Sequence, residues 1–298
     1  MKKTGFIGLG IMGRPMAKHL VSAGIELAVN DLDERAVADL VSCGARAASL
    51  KEIGETCDVI LLCLPSGKIS KDVLFGENGV ASGLTAGKLV CDHSSVTPDE
   101  SAYCHDELAK LGVGFVDAPI SGGEPGAVAG TLAIMCGGSE ADFDSLKYVF
   151  DVYGSSAVLI GGPGSGSVTK LANQIIVNMN IAAVSEALVL AEKCGADPEK
   201  VYRAIRGGLA GSAVLDAKAP MMYERNFKAG GKISINHKDL KNVMNTAIAN
   251  SVPLPMTAEL YQVYQTMMVA GLQDEDHSSI VKYFEKLAGV TVKKHRGL

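Results

Sequence analysis

Short apolar runs recur along the first half of the chain, and a stretch with helical periodicity follows each of them. The runs read TGFIGLG, ELAVND, DVILLCLP, KLVCDHSS, GFVDAPI, LAIMCGG and AVLIGG. Short strands that alternate with helical segments are typical of a mostly parallel sheet with helices on both faces. The pattern therefore predicts an α/β fold with a doubly wound sheet in this part of the chain.

The alternation stops near Gly162, where the segment GGPGSGS supplies glycine and proline breaks. Beyond it the pattern is helical throughout, without a strand pattern. One helix, predicted from Ser167 to about Lys193, would span roughly 40 Å at about 1.5 Å per residue. We therefore predict a nucleotide-binding α/β domain over residues 1–162 and an all-α domain over residues 163–298.

The composition is that of an ordinary globular protein, with 47% hydrophobic and 20% charged residues. The net charge is −5, and the chain has no basic stripe that would follow nucleic-acid phosphates. Its most apolar long stretch, 175–191, carries Asn178, Asn180 and Glu186, which are too polar for a bilayer span. We expect neither nucleic acid nor a membrane as a partner.

The seven cysteines form no CxxC pair, and several lie inside apolar runs. Such cysteines are typical of reduced thiols in a reducing compartment. Glycines and Arg14 interrupt the N-terminal apolar segment before the hydrophobic part of a signal peptide would form. We therefore expect a cytoplasmic protein.

The segment Gly8-Leu9-Gly10-Ile11-Met12-Gly13 follows an apolar run and precedes a helical pattern. Glycines at this spacing permit a tight turn and bring the backbone close to a pyrophosphate, to which the next helix offers its N-terminal N–H groups. Asn30 and Asp31 end the next predicted strand, about 20 residues further on, where a carboxylate accepts hydrogen bonds from ribose hydroxyls. The segment predicts a dinucleotide site.

Asp31 has no adjacent arginine to meet a 2′-phosphate, which favours NAD, while Arg35 leaves NADP possible. The alternative interpretation is that the glycines only form a turn and that Asp31 or Asp33 caps the next helix. That alternative does not require a strand, glycines and an acid to coincide. The dinucleotide interpretation explains their coincidence.

Three further polar stretches are candidates for the chemical end of the site. Ser94 and Ser95 follow the run KLVCD, at the strand end where ligands of open α/β sheets bind. The consecutive amides of Ser121-Gly122-Gly123 suit a carboxylate, and Lys238 and Asp239 lie in NHKDL. The alternatives are helix caps for the serines, a tight loop for the glycines and a solvated helix face for the last pair.

Lys170 lies near the start of the long helix, one turn before Asn173 and Gln174, and these positions share a helix face. A buried lysine is costly unless it is used, although a first-turn lysine can also extend to solvent. With an ordinary pKa of about 10.4, it can protonate a carbonyl oxygen while hydride reaches the carbon. The six histidines show no metal-ligand spacing, so we expect metal-free hydride transfer with a nicotinamide cofactor.

The segments GFIGLGIMGRPMA, DAPISGG, GSVTKLANQ and HKDL occur in this order over most of the chain. Together they resemble the β-hydroxyacid dehydrogenase family, which includes 3-hydroxyisobutyrate and 6-phosphogluconate dehydrogenases. The resemblance implies an N-terminal Rossmann domain, a helical C-terminal domain and an active site in the cleft between them. It also implies a homodimer or homotetramer that associates through the helical domain.

The same resemblance implies roles for individual residues. Lys170 would be the catalytic proton donor, Asn173 would orient the substrate, and Asp239 matches a polar position near the active site. His19 stands where the family usually has asparagine, and we expect this to change packing and not cofactor binding. The substrate carboxylate would bind at Ser121, Gly122 and Gly123. Pro65 and Ser66 match the family's loop after the fourth strand. The cofactor would bind at Gly8, Leu9, Gly10, Ile11, Met12, Gly13, Asn30, Asp31, Leu64, Pro65, Ser95 and Lys238.

The segment GGEPGAVAGTL, with Glu124 after the Ser-Gly-Gly sequence, and the run from Gly207 to Ser212 resemble family members that reduce tartronate semialdehyde to D-glycerate with NADH. The alternatives are 3-hydroxyisobutyrate or another small semialdehyde or β-hydroxy acid, because one methylene or hydroxyl changes discrimination by only about 1–3 kcal/mol. An alternative of another class is a non-catalytic dinucleotide-binding sensor. Such a sensor would have no use for a lysine proton donor.

Overall fold

In the computed structural model, which describes residues 2–295, the chain divides after Lys170 into two compact units. The strands of the first unit are β1 Thr4–Ile7, β2 Leu27–Asn30, β3 Arg46–Ala47, β4 Val59–Leu62, β5 Leu89–Asp92, β6 Gly114–Asp117, β7 Ile120–Ser121, β8 Leu132–Gly137 and β9 Gly154–Gly161. Its helices are α1 Gly13–Ser22, α2 Glu34–Ser42, α3 Leu50–Thr56, α4 Gly67–Phe75, α5 Pro98–Ala109, α6 Gly123–Ala129 and α7 Glu140–Tyr153, with a 3-10 helix at Val80–Gly83.

All nine strands of the first unit belong to one sheet. Six are parallel, in the order β3-β2-β1-β4-β5-β6, and β8 then pairs antiparallel with both β6 and β7, while β9 runs parallel to β8. The predicted mostly parallel, doubly wound sheet is therefore confirmed. The two-residue strands β3 and β7 were not predicted from the apolar pattern.

Five adjacent parallel strands end in register. Ile7 is paired with Asn30 on one side and with Leu62 on the other, and the row continues from Leu62 to Asp92 and on to Asp117. The loops after β1, β2, β4, β5 and β6 therefore all begin at one edge of the sheet. Ligands of open α/β sheets bind at this carboxyl edge.

Helices cover both faces of the sheet. Phe6 packs in a core cluster with Met16 of α1 and Phe150 of α7, whereas its neighbour Ile7 packs in a second cluster with Leu108 of α5. Successive strand residues point to opposite faces. Both faces of the central strands are therefore buried, which explains why their sequences are continuously apolar.

The second unit is helical, as predicted. It is formed by α8 Ser165–Lys193, whose first residues belong to the first unit, and by α9 Pro198–Ile205, α10 Ala213–Tyr223, α11 Ile233–Ala249, α12 Pro255–Val269 and α13 Val281–Ala288, with a 3-10 helix at His277–Ile280. From residue 171 to 295 the β pairing consists of one isolated bridge between Lys232 and Asp276. The predicted domain boundary after residue 162 lies in the loop before α8, whereas the compact units divide within α8.

Helix α8 is long and apolar enough, by length and composition alone, to cross a membrane, although its polar residues had predicted no bilayer span. The core helix of a water-soluble protein has the same properties. Ile181 and Leu188 of α8 are fully or almost fully buried in the core of the helical unit. Asn178 accepts a hydrogen bond from the hydroxyl of Tyr264 at 2.6 Å inside that core. Apolar residues of α8 therefore form part of the core of the helical unit.

Candidate active site

The three glycines of the loop after β1 differ in what surrounds them. A Cβ on Gly8, which has φ +97°, would lie 2.3 Å from the Cys63 carbonyl oxygen, and a Cβ on Gly13 would lie 1.9 Å from the Gly8 carbonyl oxygen. These two positions require glycine because the backbone segments pack directly on each other. Around Gly10, no atom of the described residues would lie within 4 Å of an added Cβ. The backbone at Gly10, next to the N-terminus of α1, is therefore open to the approach of an anion.

Asp31 connects the end of β2 to this loop. Its Oδ2 accepts the Leu9 N–H at 2.5 Å, and its Oδ1 accepts the Asp33 N–H at 2.7 Å. The cap of α2 is Asp33, which accepts the Arg35 N–H at 3.0 Å. The carboxylate of Asp31 thus lies beside the glycine loop, and the capping role that the sequence left open belongs to Asp33.

A surface depression of about 390 Å³ lies beyond the end of β2. Asn30 and Asp31 form part of its lining together with Glu34 and Glu52, and the lining contains no lysine or arginine. Asn30 does not reach outward, because its Nδ2 donates to the Ala48 carbonyl oxygen at 2.7 Å. The charged residues of its lining are therefore all acidic.

The loops after β4 and β5 are joined by Ser94. Its hydroxyl accepts the Leu64 N–H at 2.8 Å, and its own N–H donates to Asp92 Oδ1 at 2.8 Å. Ser94 is therefore a buried link between two loops and not a helix cap. In contrast, Ser66 caps α4 by accepting the Ile69 N–H at 3.4 Å. This link places Leu64 and Pro65 in the loop next to the one that carries Ser95.

Several ionisable groups at this edge are shielded from water. Burial raises the pKa of Asp92 and of Asp117, and it lowers the pKa of His93 to about 4. His93 is therefore neutral at neutral pH. The edge of the sheet combines an open glycine loop with a poorly hydrated interior.

The Ser121-Gly122-Gly123 segment forms the turn between β7 and α6. Gly122 and Gly123 have φ values of +135° and +60°, which side chains rarely adopt. His19 Nε2 lies 3.2 Å from the Ala127 carbonyl oxygen and 3.0 Å from that of Val128, at the far end of α6. His19 therefore packs α1 against the end of α6.

Lys170 is buried, with 8% of its surface exposed. Its Nζ donates to the carbonyl oxygen of Ile120 at 2.7 Å. Ile120 immediately precedes Ser121, so the ammonium group lies next to the segment expected to bind a carboxylate. Extension of this lysine to solvent, the alternative left open by the sequence, does not occur.

The remaining candidate residues lie in the helical unit and form a connected chain. Asn173 donates to Gln174 Oε1 at 2.9 Å, and Gln174 Nε2 donates to Asp239 Oδ2 at 2.6 Å. The other carboxylate oxygen of Asp239 lies 2.9 Å from Lys238 Nζ. Asp239 and Gln174 are buried. Lys238 and Asp239 therefore do not form the solvated helix face that the sequence left open.

The run Gly207–Ser212, which carried part of the sequence resemblance, forms the loop between α9 and α10. Ser212 caps α10 by accepting the Leu215 N–H at 3.0 Å, and Leu209 is fully exposed. Among residues 2–295, no group of three or more His, Cys, Asp or Glu side chains is placed to hold a metal ion.

Asp117, which lies within DAPISGG, is a buried residue of this edge to which the sequence assigned no role. Its carboxylate is buried and accepts backbone N–H groups of the segment that starts α8. The signal in the sequence was a charged residue at the end of an apolar strand. Its partners, about 50 positions away, are not visible in any local pattern.

Comparison with known proteins agrees with this arrangement. Residues 3–162 match the family model described as the NAD binding domain of 6-phosphogluconate dehydrogenase. Residues 164–284 match the model described as NAD-binding of NADP-dependent 3-hydroxyisobutyrate dehydrogenase. The two matches together span both units, and both describe nicotinamide dinucleotide enzymes.

Individual relatives cover almost the whole chain. The 2-hydroxy-3-oxopropionate reductase of Escherichia coli (strain K12) is 43% identical over 288 residues, which cover 96% of this chain and 98% of that protein. The 2-(hydroxymethyl)glutarate dehydrogenase of Eubacterium barkeri is 38% identical over 292 residues, or 97% of each protein. The crystal structure of a 3-hydroxyisobutyrate dehydrogenase from Salmonella typhimurium matches with a TM-score of 0.87 at 30% identity, covering 95% of this chain and 100% of that chain. The chain therefore belongs to the β-hydroxyacid dehydrogenase family of NAD(P)-binding oxidoreductases.

Proposed function

We propose that this protein reduces tartronate semialdehyde (2-hydroxy-3-oxopropanoate) to D-glycerate with NADH, and that Lys170 donates the proton. The observation that carries the chemistry is the contact between Lys170 Nζ and the Ile120 carbonyl oxygen at 2.7 Å. It holds a buried ammonium group beside Ser121, Gly122 and Gly123, at the same sheet edge as the glycine loop. An acid next to an anion-binding segment is what reduction of a small oxo acid requires.

Each residue has one role in the proposed reaction. The amides of Ser121-Gly122-Gly123 bind the substrate carboxylate, and Asn173 orients the substrate. Lys170 gives a proton from Nζ to the aldehyde oxygen, which becomes the hydroxyl of the product. When bound, the dinucleotide supplies the hydride for the aldehyde carbon.

The preference for NADH is supported by charge. Asp31, Glu34 and Glu52 line the depression at the adenosine end, and Leu32, the residue after Asp31, is fully exposed. A 2′-phosphate at this end would face three carboxylates and no cation of the lining. A ribose hydroxyl instead finds an acceptor in Asp31.

The substrate is supported by the relative of 43% identity named for this reaction, and by the segments around Glu124 and Gly207–Ser212. The relative of 38% identity acts, by its name, on a larger hydroxy acid. Substrate choice therefore has to be measured against other small substrates. Candidates are methylmalonate semialdehyde, succinic semialdehyde and glyoxylate.

The decisive experiment is steady-state NADH oxidation by the purified protein with tartronate semialdehyde and with each of these three alternatives. The same substrates are measured with NADPH in parallel. We expect the highest kcat/KM for tartronate semialdehyde with NADH. Faster turnover of another substrate would reject the substrate and keep the enzyme class. Binding of NADH without turnover of any of them, unchanged by Lys170→Ala, would indicate a sensor.

We further propose that the enzyme is a cytoplasmic homodimer or homotetramer. Ile176 and Leu190 of α8 are each more than 60% exposed, which suits an interface between copies of the helical unit. The thiols of Cys57, Cys91, Cys104 and Cys136 are unpaired and buried, as in a reducing compartment. Light scattering coupled to size-exclusion chromatography gives the number of subunits.

A further inference from the structure

Asp117 replaces a local cap at the start of α8. Gly164, which precedes the helix, has no side chain with which to cap it. Instead, Asp117 Oδ1 accepts the Gly164 N–H and Asp117 Oδ2 accepts the Ser167 N–H, both at 2.7 Å. The first N–H groups of a helix have no acceptor within the helix. A single remote carboxylate at the end of β6 therefore satisfies two of them.

A second contact joins the same two segments. Ser167 and Lys170 are three residues apart on one face of α8, and Asp117 and Ile120 are three residues apart on the other segment. Asp117 receives the Ser167 N–H, and Ile120 receives the Lys170 ammonium group at 2.7 Å. Ser167 is thus paired with Asp117 and Lys170 with Ile120, three residues further along each segment. Together the two contacts fix the position of α8 along the segment that continues into Ser121.

Close packing around Gly166 and Gly137 leaves α8 little room to shift along this segment. A Cβ on Gly166 would lie 2.4 Å from the Met135 carbonyl oxygen and 2.6 Å from that of Asp117. A Cβ on Gly137 would lie 2.5 Å from Asp117 Oδ1. Only 1% of Asp117 is exposed. The carboxylate is therefore enclosed by glycine backbone and shielded from bulk water.

We propose that Asp117 is a positioning residue for the reduction, because its carboxylate fixes the first turn of α8 and thereby holds Lys170 in register with the Ser121-Gly122-Gly123 segment. This inference rests on the proposed function in taking Lys170 as the proton donor. Misplacement of a catalytic group by about 1 Å can lower a rate about 100-fold. Because Asp117 is almost fully buried, we assign it a role through Lys170 and no contact of its own with substrate or cofactor.

The first test does not depend on activity. Hydrogen exchange of the peptide covering residues 164–170 is compared in the wild type and in Asp117→Asn, whose amide group can accept only one of the two N–H groups. We expect roughly tenfold faster exchange in that peptide. The matched control is Asp197→Asn, the same substitution at the cap of α9 (Asp197 accepts the Glu199 N–H at 3.0 Å), which should leave residues 164–170 unchanged. Unchanged exchange in Asp117→Asn would overturn the proposal.

The second test separates positioning from stability. We expect Asp117→Asn to lower kcat about 10- to 100-fold, to shift the pH profile of kcat and to leave the NADH dissociation constant within twofold. In a Lys170→Ala background, Asp117→Asn should change the residual rate less than about threefold, because the group on which it acts is gone. Equal factors in both backgrounds, with an unshifted pH profile, would show a merely structural role and overturn the proposal.

Poor accumulation of the Asp117 variant and failure of the proposed role of Lys170 can each be recognised. If Asp117→Asn accumulates poorly, the smaller Asp117→Ser leaves room for a water to meet the two N–H groups, and the same measurements apply to it. Full turnover by Lys170→Ala would overturn the proposed role of Lys170. The exchange measurement would still decide whether Asp117 fixes α8.

Discussion

The hydroxyl of Tyr153 lies 2.8 Å from His93 Nε2, and both side chains are buried in the first unit. The other ring nitrogen, Nδ1, lies 2.7 Å from the Ala118 carbonyl oxygen and must donate to it. A neutral imidazole has one donor and one acceptor, so Nε2 accepts the Tyr153 hydroxyl proton. This contact links the end of α7 to the residues that directly follow β5 and β6.

The first prediction concerns the pH dependence that His93 confers on stability. Burial lowers its pKa from 6.5 to about 4 in the folded protein. Between these values the unfolded chain binds the proton and the folded protein does not, so stability falls as pH decreases through this window. At pH 5 we expect the loss due to His93 to be about 2 kcal/mol relative to pH 7. Urea unfolding at both pH values measures it.

Two variants isolate this contribution. In His93→Gln the titrating ring is absent, so its free energy of unfolding should fall less between pH 7 and pH 5 than that of the wild type. Tyr153→Phe keeps the ring and removes one hydrogen bond, which should lower stability by about 1 kcal/mol at both pH values. An identical pH dependence in His93→Gln and the wild type would contradict the prediction.

A second prediction concerns the ion pair of Lys218 and Asp276 in the helical unit. Asp276 is fully buried and accepts Lys218 Nζ at 3.0 and 3.1 Å. Lys218→Met would leave this carboxylate without its counter-charge, and we expect a loss of about 3–5 kcal/mol in the free energy of unfolding. The exposed pair of Lys232 and Asp274 is a matched control, since Lys232→Met should cost less than about 1 kcal/mol. Equal losses for the two variants would show that burial does not strengthen the inner pair.

The third prediction concerns Lys170. Replacement with alanine removes the proton donor, and we expect kcat to fall about 10²- to 10⁴-fold while the NADH dissociation constant stays within twofold. Lys193 lies at the other end of the same helix, where its Nζ reaches the Ala288 carbonyl oxygen at 3.0 Å. Lys193→Ala should therefore keep turnover within twofold. Stopped-flow or steady-state NADH oxidation, with NADH fluorescence titration, separates the two quantities.

The fold was predictable where local pattern and tertiary structure agree. The central parallel strands are buried on both faces, so each appears in the sequence as an unbroken apolar run. The two-residue strand β7 was not recognised, because the run GFVDAPI continues through Asp117 and Pro119 without a visible break. Its antiparallel pairing with β8 depends on a contact that no local pattern encodes.

The first residue of α8 could not be predicted from the local sequence either. The sequence predicted a first residue at Ser167, whereas the helix begins at Ser165. Helix starts are recognised by a cap just before them, and here the capping carboxylate comes from Asp117, about 50 positions earlier. Motif spacing identified the glycine loop and Lys170. It gave no sign of Asp117 because its role is set by the packing of distant segments.

The last prediction concerns cofactor choice at Asp31 and Leu32. Asp31 is held beside the glycine loop by the Leu9 N–H, and Leu32 is fully exposed next to it. A serine at 31 together with an arginine at 32 removes one negative charge and adds a bidentate phosphate donor. In Asp31→Ser/Leu32→Arg we expect kcat/KM for NADPH relative to NADH to rise at least about 100-fold, or roughly 3 kcal/mol.

The two single variants measure separately how much of the change in cofactor preference comes from the lost carboxylate and how much from the added arginine. Asp31→Ser alone should mainly weaken NADH, because the ribose hydroxyls lose their acceptor, while Leu32→Arg alone should mainly improve NADPH. Glu34 and Glu52 remain in both variants and still oppose the 2′-phosphate, so Glu34→Gln added to the double variant should raise the NADPH preference further. If the ratio in Asp31→Ser/Leu32→Arg stays within threefold of the wild type, charge at this end of the site does not set cofactor choice. Discrimination would then have to lie in the shape of the depression.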